Sequence, residues 1–334
     1  MLQSQKTSSF PTIQEIWEQC RPDLLKVEAQ IQKDLASDVP LINQVAHYIL
    51  NSGGKRIRPL LMILTAKLCP SPGDDHILLA AIVEYIHTAT LLHDDVIDEG
   101  NLRRGKKTVR TLWGNHASIL VGDYLYAAAV ARGLTLNRQE VNLVLQKACC
   151  QMIEGEMVQH AHHSDFGIQE TDYLRIIRQK TASLIAVSCQ LGGIVSGGSH
   201  EQKECLFQFG QNLGIAFQVA DDTLDYIAQK QQLGKTLGAD LREGKVTLPL
   251  IHLLRNCSQE EKKEVANTLG LNDSSEKEFG QILDLMYRHG SIEYASSVAR
   301  EYIEKAMGFL APFESSVHKT ALQVVADYVV SRDH

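Results

Sequence analysis

From Leu41 onward, apolar residues recur at steps of three and four through one segment after another. Leu41, Ile42, Val45, Ala46, Ile49 and Leu50 set the pattern. A stripe at this spacing is one face of a helix, and it must be buried against a neighbour. The same spacing runs through 60–68, 77–98, 117–132, 140–160, 172–196, 201–228, 245–255, 260–268, 279–288, 292–311 and 318–331. Sustained period-two alternation, the mark of half-buried strands, is hard to find. Breaks fall at 70–75, 164–171, 197–199, 233–244 and 271–277, all rich in turn-forming residues. Thr171 and Asp172 are expected to cap the helix that follows them. The pattern predicts an all-α chain.

A chain of 334 residues sets a prior of about two domains. No repeat of constant period, low-complexity tract or linker interrupts the helical pattern, so one large domain over 1–334 is expected, with 1–15 as a loose N-terminal segment. The hydrophobic share of 44% and charged share of 22% exclude a disordered or fibrous chain. A net charge of −7 with few aromatic residues argues against a general nucleic-acid binder. Seven cysteines, an odd number without a CxxC pair, read as thiols of a reducing compartment, and the adjacent Cys149 and Cys150 read as helix packing. Residues 1–10 lack the apolar stretch of a signal peptide. The apolar runs 77–83 and 124–131 fall short of the ~18 residues of a membrane span. A cytoplasmic protein without an integral membrane segment is expected.

Two segments carry the chemistry. Leu91-Leu92-His93-Asp94-Asp95-Val96-Ile97-Asp98 and Val219-Ala220-Asp221-Asp222-Thr223-Leu224-Asp225 both contain DDxxD. On a helix, residues four apart share a face, so Asp94 pairs with Asp98 and Asp221 with Asp225. Like charges at this spacing oppose the helix by a few tenths of a kcal/mol, ~0.2–0.5. Apolar neighbours show that neither pair is simply a solvated face. A hard cation resolves the repulsion: Mg²⁺ takes oxygen ligands, keeps several waters and is shared between one or two carboxylates and substrate phosphates.

Cations accompany the aspartates. Gly53-Gly54-Lys55-Arg56-Ile57-Arg58-Pro59 places three behind two glycines, which permit close backbone approach. Arg103-Arg104-Gly105-Lys106-Lys107 follows the first aspartates, and Lys180-Thr181, Lys235 and Lys245 add single cations near loops or caps. Together they describe a site for two phosphorylated groups. Neither a P-loop nor a dinucleotide fingerprint is present.

At this point the sequence resembles the trans-isoprenyl diphosphate synthases. The markers are GGKRIRP at 53–59, HDDVIDEGNLRRG at 93–105, KTASL at 180–184, FQVADDTLDY at 217–226 and GKTLGADLREGKVTLPL at 234–250, in family order from about Leu41 to Arg332. The resemblance implies antiparallel helices around a deep central active-site cavity, usually in a homodimer. It implies Mg²⁺ as cofactor, roughly three ions once substrate is bound. Asp94 and Asp98 match metal ligands supported by Asp95, and Asp221 matches a ligand supported by Asp222 and Asp225. Lys55, Arg58, His87 and Arg104, with Gly54 beside them, match the site for isopentenyl diphosphate. Arg103, Lys180, Lys235 and Lys245 match the site for the allylic diphosphate, and Thr181 and Gln218 match polar groups near the developing carbocation. The proton lost after condensation goes, in the family, to the departing diphosphate. Lys107 departs from the pattern, since many relatives have proline there, which puts the stiffness of that loop in question.

In the family, bulky aromatics at the fourth and fifth positions before the first aspartate stop chain growth; here Thr90 and Ala89 are small. Tyr85 and Ile86 lie one turn further down, ~5.4 Å, and Tyr85 could project into a product tunnel and shorten it. TATLLHDDVIDE at 88–99 with SRDH at the C-terminus resembles the octaprenyl branch, so a long-chain product for quinone side chains is expected. The alternatives are a shorter-chain farnesyl or geranylgeranyl diphosphate synthase, and a non-catalytic subunit of a heteromeric synthase. A di-iron bundle needs two Glu-x-x-His motifs, and only Glu84 to His87 fits. A terpene cyclase, with its usual single DDxxD, fits poorly. His160, His162 and His163 read as an exposed helix end, and the glycine pairs 192–193 and 197–198 as close helix contacts and a turn.

Overall fold

The first helix is one that the apolar periodicity does not announce. Thr12 caps it in a capping box with Glu15, and α1 (Ile13–Asp34) then buries Ile16, Cys20, Val27 and Ile31. Its stripe is sparse, its mean composition polar, and Pro22 sits inside it, which is why the segment does not read as helical. Of the stretch 1–15 expected to be loose, residues 13–15 form the first turn of α1. A computed structural model describes residues 11–35, 37–54, 56–69, 73–227, 238–268 and 276–331.

The chain continues through α2 (Pro40–Leu50), α3 (Ile57–Leu68), α4 (Asp75–Ile97), a hairpin of β1 (Leu102–Arg103) and β2 (Lys106–Lys107), α5 (Val109–Thr135, kinked at Gly114) and α6 (Gln139–Ala161). The segment expected as one helix over 172–196 is three pieces: α7 (Glu170–Ile177), a π-helical turn (Arg178–Ala182) and α8 (Ser183–Val195). Its cap is Gln169, bonded in a capping box with Asp172 at the third helical position, rather than Thr171 or Asp172. Then follow α9 (His200–Ile227), α10 (Ala239–Arg242), α11 (Leu248–Asn256), α12 (Gln259–Thr268), α13 (Glu276–Arg288), α14 (Ser291–Phe309) and α15 (Val317–Val330).

Helices α3 and α8 are apolar nearly all round and lie deepest; Leu60 to Leu64 are all buried. Burial of each such side chain stabilises the fold by about 1.5–3 kcal/mol. Helix α4 is long and apolar enough to cross a membrane by length and composition, yet α1, α3, α5 and α8 pack on it and most of it is buried.

The apolar interior falls into two clusters. The larger joins α1–α6, α8, α15, the first half of α9 and the end of α14; the smaller joins α7, the end of α9, α10–α13 and the start of α14. Helix α9 bridges them, with Leu206, Phe209 and Leu213 in one and Val219 and Tyr226 in the other. The second aspartate segment thus lies where α9 leaves the first cluster for the second.

Candidate active site

The first aspartates sit where α4 stops. Asp98 is its C-cap, and its N–H donates to the Asp94 carbonyl at 2.8 Å, so the last turn is closed and the four-residue spacing is kept. Asp94 is half-buried, and burial pushes its carboxyl up to about 6; Lys180 and Arg103 oppose the shift, while Glu156 and Asp98 add to it. Asp95 is buried and holds the Arg103 guanidinium, Nε to Oδ1 at 2.8 Å. Asp98 accepts from Lys245 Nζ at 3.0 Å, and Glu243 takes the same ammonium at 2.9 Å. Burial alone would lower the Lys245 ammonium, but Asp98, Asp240 and Glu243 together raise it above the ordinary lysine value.

The three aspartates of the second segment face different surroundings. Asp221 is exposed, whereas Asp222 and Asp225 are buried. Tyr173 Oη donates to Asp222 Oδ2 at 2.6 Å and Gln218 Nε2 donates to Asp222 Oδ1 at 2.6 Å. The Thr181 hydroxyl donates to Gln218 Oε1 at 2.8 Å, completing a chain of four side chains. Burial, with Asp240 and Asp221 nearby, drives the Asp222 carboxyl well up; the two donors act in the opposite sense. Asp225 accepts the Asp240 N–H at 3.0 Å, and its carbonyl accepts the Gly238 N–H at 2.9 Å, so it ties α10 to α9. Asp222 and Asp225 are thus held by neighbouring elements, and Asp221 is left accessible.

Lys180 and Thr181 belong to the π turn, a distortion frequent at functional sites. Lys180 forms an ion pair with Glu156 of α6. The Ser183 hydroxyl donates to the Gln179 carbonyl at 2.6 Å, which satisfies a backbone acceptor beside the widened turn.

The remaining cations gather at the start of α3 and on the hairpin. Arg103 pairs with Lys106 across a two-residue turn in which Arg104 (φ 52°) and Gly105 (φ 72°) are both left-handed, the geometry of a type I′ turn. The turn brings the Arg104 guanidinium onto the Gly53 carbonyl. A Cβ on Gly54 would lie 2.7 Å from Arg104 Nη1, so a side chain there obliges the Arg104 guanidinium to move. Lys107 lies on β2 opposite Leu102, and its carbonyl accepts the Tyr48 hydroxyl at 2.6 Å, so hairpin pairing and Tyr48 hold the loop that proline stiffens in relatives. His87, half-buried, is held well below the ordinary histidine value by burial and by Arg58, Arg104, Arg103 and Arg56. It is neutral at pH 7.

Among the expected site residues, Lys55 and Lys235 lie outside the described residues. Asp94, Asp98, Lys180 and Lys245 come together, as do Thr181, Gln218 and Asp222, and as do Arg58, Arg104 and His87. Ile86 and Ala89 are buried on α4, and the half-buried Thr90 donates to the His87 carbonyl at 2.8 Å. Tyr85, one turn further down α4, is fully buried, with its hydroxyl donating to Asp34 Oδ2 of α1 at 3.3 Å. Asp34 is itself held by Arg132 at 3.0 Å and Gln30 at 2.8 Å. His162, the C-cap of α6, bonds Asp165 at 2.8 Å.

Two residues escaped sequence reasoning, Glu156 and Tyr173, and two others, Arg56 and Glu84, pair with each other rather than serving the roles weighed for their motifs. Arg56 is the left-handed N-cap of α3 and spends its guanidinium on buried Glu84 at 2.6 Å and on the Leu50 carbonyl at 2.6 Å. None of these pairings leaves a spacing in the sequence, because each joins two different helices or a helix and a loop.

Among the described residues no three histidine, cysteine or carboxylate side chains converge to hold a bare ion. Mg²⁺ does not require such a cage, since waters and phosphate oxygens complete its shell around one or two carboxylates. The raised Asp94 carboxyl, crowded by Glu156 and Asp98, is the repulsion a divalent cation relieves, and the all-oxygen donor set suits that ion.

Comparison with known proteins gives a consistent match. The polyprenyl synthetase family model matches residues 39–286. Octaprenyl diphosphate synthase of Haemophilus influenzae is 39% identical over 329 residues, covering 98% of this chain and 100% of the relative. A polyprenyl synthase of Caulobacter crescentus, solved with calcium and isoprenyl diphosphate, superposes with a TM-score of 0.93 at 36% identity, covering 98% of this chain and 99% of that one. A decaprenyl diphosphate synthase of Rhodobacter capsulatus superposes with a TM-score of 0.91 at 36% identity, covering 96% and 99%.

Proposed function

This chain belongs to the polyprenyl synthetase family of prenyltransferases, and we propose that it condenses isopentenyl diphosphate head to tail with an allylic diphosphate to make a long-chain, octaprenyl-type product. The observation that carries this reading is the contact between Lys245 and Asp98. It brings the loop after the second aspartate segment onto the first one, and sets cations from two separate segments, Lys180 and Lys245, beside Asp94 and Asp98. Two phosphorylated substrates need such a site, with one anion held by cations alone and the other by cations and metal.

Arg58, Arg104 and His87, with Lys55, hold isopentenyl diphosphate. Neutral His87 donates one hydrogen bond there without adding to the crowded positive charge. Lys180, Lys245, Arg103 and Lys235 take the allylic diphosphate. Asp94, Asp98 and Asp221 are the residues that would hold Mg²⁺, roughly three ions with substrate bound, and Asp95, Asp222 and Asp225 brace them. When bound, the metal supplies the positive charge that lets two carboxylate sets and a diphosphate share one site. Thr181 and Gln218, ordered by Asp222 and Tyr173, present oxygens toward positive charge developing on the primer. Small Thr90 and Ala89, with Tyr85 drawn toward α1, leave α4 without an aromatic plug below the aspartates.

The chain is further read as a homodimer. Ile119 and Leu120 on α5 and Leu143, Ile153 and Met157 on α6 are large apolar side chains exposed on adjacent helices, as a subunit interface requires. All seven cysteines are free, which supports a reducing, cytoplasmic setting.

Substitution of either metal-facing aspartate tests the reading. Asp94→Ala and Asp221→Ala should each lower turnover by at least ~100-fold with an unchanged circular dichroism spectrum. Near-normal turnover of Asp94→Ala at saturating Mg²⁺ would contradict it.

A further inference from the structure

The π turn that carries Lys180 and Thr181 is wider than the α-helix on either side of it and needs room. Two glycines from two different helices supply that room. On α6, a Cβ at Gly155 would lie 2.6 Å from the Lys180 backbone nitrogen and 2.9 Å from Gln179 Cβ. On α9, a Cβ at Gly214 would lie 2.6 Å from Ala182 Cα and 2.7 Å from Ala182 Cβ. The turn is seated between two bare stretches of backbone.

Each glycine stands next to the partner of a site residue. Gly155 precedes Glu156, which holds Lys180. Gly214 lies one turn before Gln218, which accepts from Thr181. Gln179, between them, donates from Nε2 to Glu154 at 3.4 Å, so three consecutive residues of α6 touch the turn. A methyl at either position pushes the turn away from the helix that carries its partner. Such a push lengthens the Lys180–Glu156 and Thr181–Gln218 contacts while leaving Arg58, His87 and Arg104 untouched on α3, α4 and the hairpin.

We infer that Gly155 and Gly214 are positioning residues for the allylic half of the reaction: they set the depth of the π turn, and with it the placement of Lys180 and Thr181. This rests on the prenyltransferase reading above. A general packing role makes a different prediction, and Gly192 provides the comparison. On α8, a Cβ at Gly192 would overlap Thr65 Oγ1 and lie 2.8 Å from the Ala66 nitrogen and 2.9 Å from the Met62 carbonyl oxygen, a clash with α3 at least as severe.

The test is steady-state kinetics on the full-length enzyme with farnesyl diphosphate and isopentenyl diphosphate varied in turn. Gly155→Ala and Gly214→Ala should each raise KM for farnesyl diphosphate about tenfold, the loss of one charge-assisted contact. They should lower kcat by up to about 100-fold, the cost of ~1 Å of misplacement. KM for isopentenyl diphosphate should stay within about twofold. Gly192→Ala should lower the melting temperature at least as much and leave both KM values unchanged. If either single variant fails to fold, Gly214→Ala combined with Ala182→Gly, which removes the facing methyl and keeps the 2.6 Å approach to the residue 182 Cα, should fold and show the same farnesyl-specific shift at reduced size. Equal shifts in both KM values, no shift in either, or a farnesyl-specific shift in Gly192→Ala would overturn the inference. Wild-type protein that turns over neither substrate would remove the reading beneath it, and the inference with it.

Discussion

Lys245 Nζ stands 3.0 Å from Asp98 Oδ2 across 147 residues of chain, so one ammonium ties the loop after the second aspartate segment to the end of the first. The same ammonium balances Glu243 and lies near Asp240, which makes it the counter-charge of a carboxylate cluster. Lys245→Met should therefore lower the melting temperature in metal-free buffer. Mg²⁺ should recover more of that loss in the variant than it adds to wild type, because a cation then replaces the missing ammonium. Thermal shift with and without Mg²⁺ checks this; equal Mg²⁺ shifts in the two proteins would count against the cluster.

His87 supplies a pH dependence. In the unfolded chain it takes up a proton below about 6.5, but burial and four arginines keep it neutral in the folded protein. The unfolded state then binds more protons than the folded state at low pH. The stability this group permits is fully present above pH ~6.5 and is lost as pH falls below it. Urea denaturation of wild type and His87→Asn between about pH 5 and 7.5 should show curves that converge at high pH and diverge at low pH, with wild type losing more.

Tyr173→Phe removes one donor from buried Asp222 and leaves that carboxylate oxygen short of a partner. The expected cost is about 1–3 kcal/mol of stability, read from the urea midpoint. Turnover should also fall, since Asp222 orders Gln218 and Gln218 orders Thr181. Unchanged stability would show that the Tyr173 hydroxyl does not support the carboxylate.

Ala89→Phe places an aromatic ring at a buried position of α4 where family members that make short products carry one. Chromatography of dephosphorylated products should show shorter prenyl alcohols than wild type. An unchanged product distribution would remove Ala89 from chain-length control.

Most of the helical framework is legible in the amino-acid sequence. The stripe of Leu41, Val45 and Ile49 and its successors place nearly every helix from α2 on, because period-three-and-four burial is a local property of the chain. Both aspartate segments are legible for the same reason: Asp94 and Asp98 keep their helical spacing through the closed last turn of α4. Spacing does not show α1, whose sparse stripe spans Pro22, or the π turn, because RQKTA carries no local signal for a widened helix. Nor does it separate Asp221, which is exposed, from Asp222 and Asp225, which are buried. That difference is made by Tyr173 and Asp240 on other elements, and it exists only after the helices pack.

Both substrate sites and both aspartate segments lie in one polypeptide, which should therefore build a long prenyl chain alone. The direct measurement is product length from the purified single chain with isopentenyl diphosphate, farnesyl diphosphate and Mg²⁺, resolved by chromatography after dephosphorylation. The expected products are alcohols of hexaprenyl to decaprenyl length, centred on octaprenol. Geranylgeraniol as the end product, or no product until a second subunit is added, would contradict this reading.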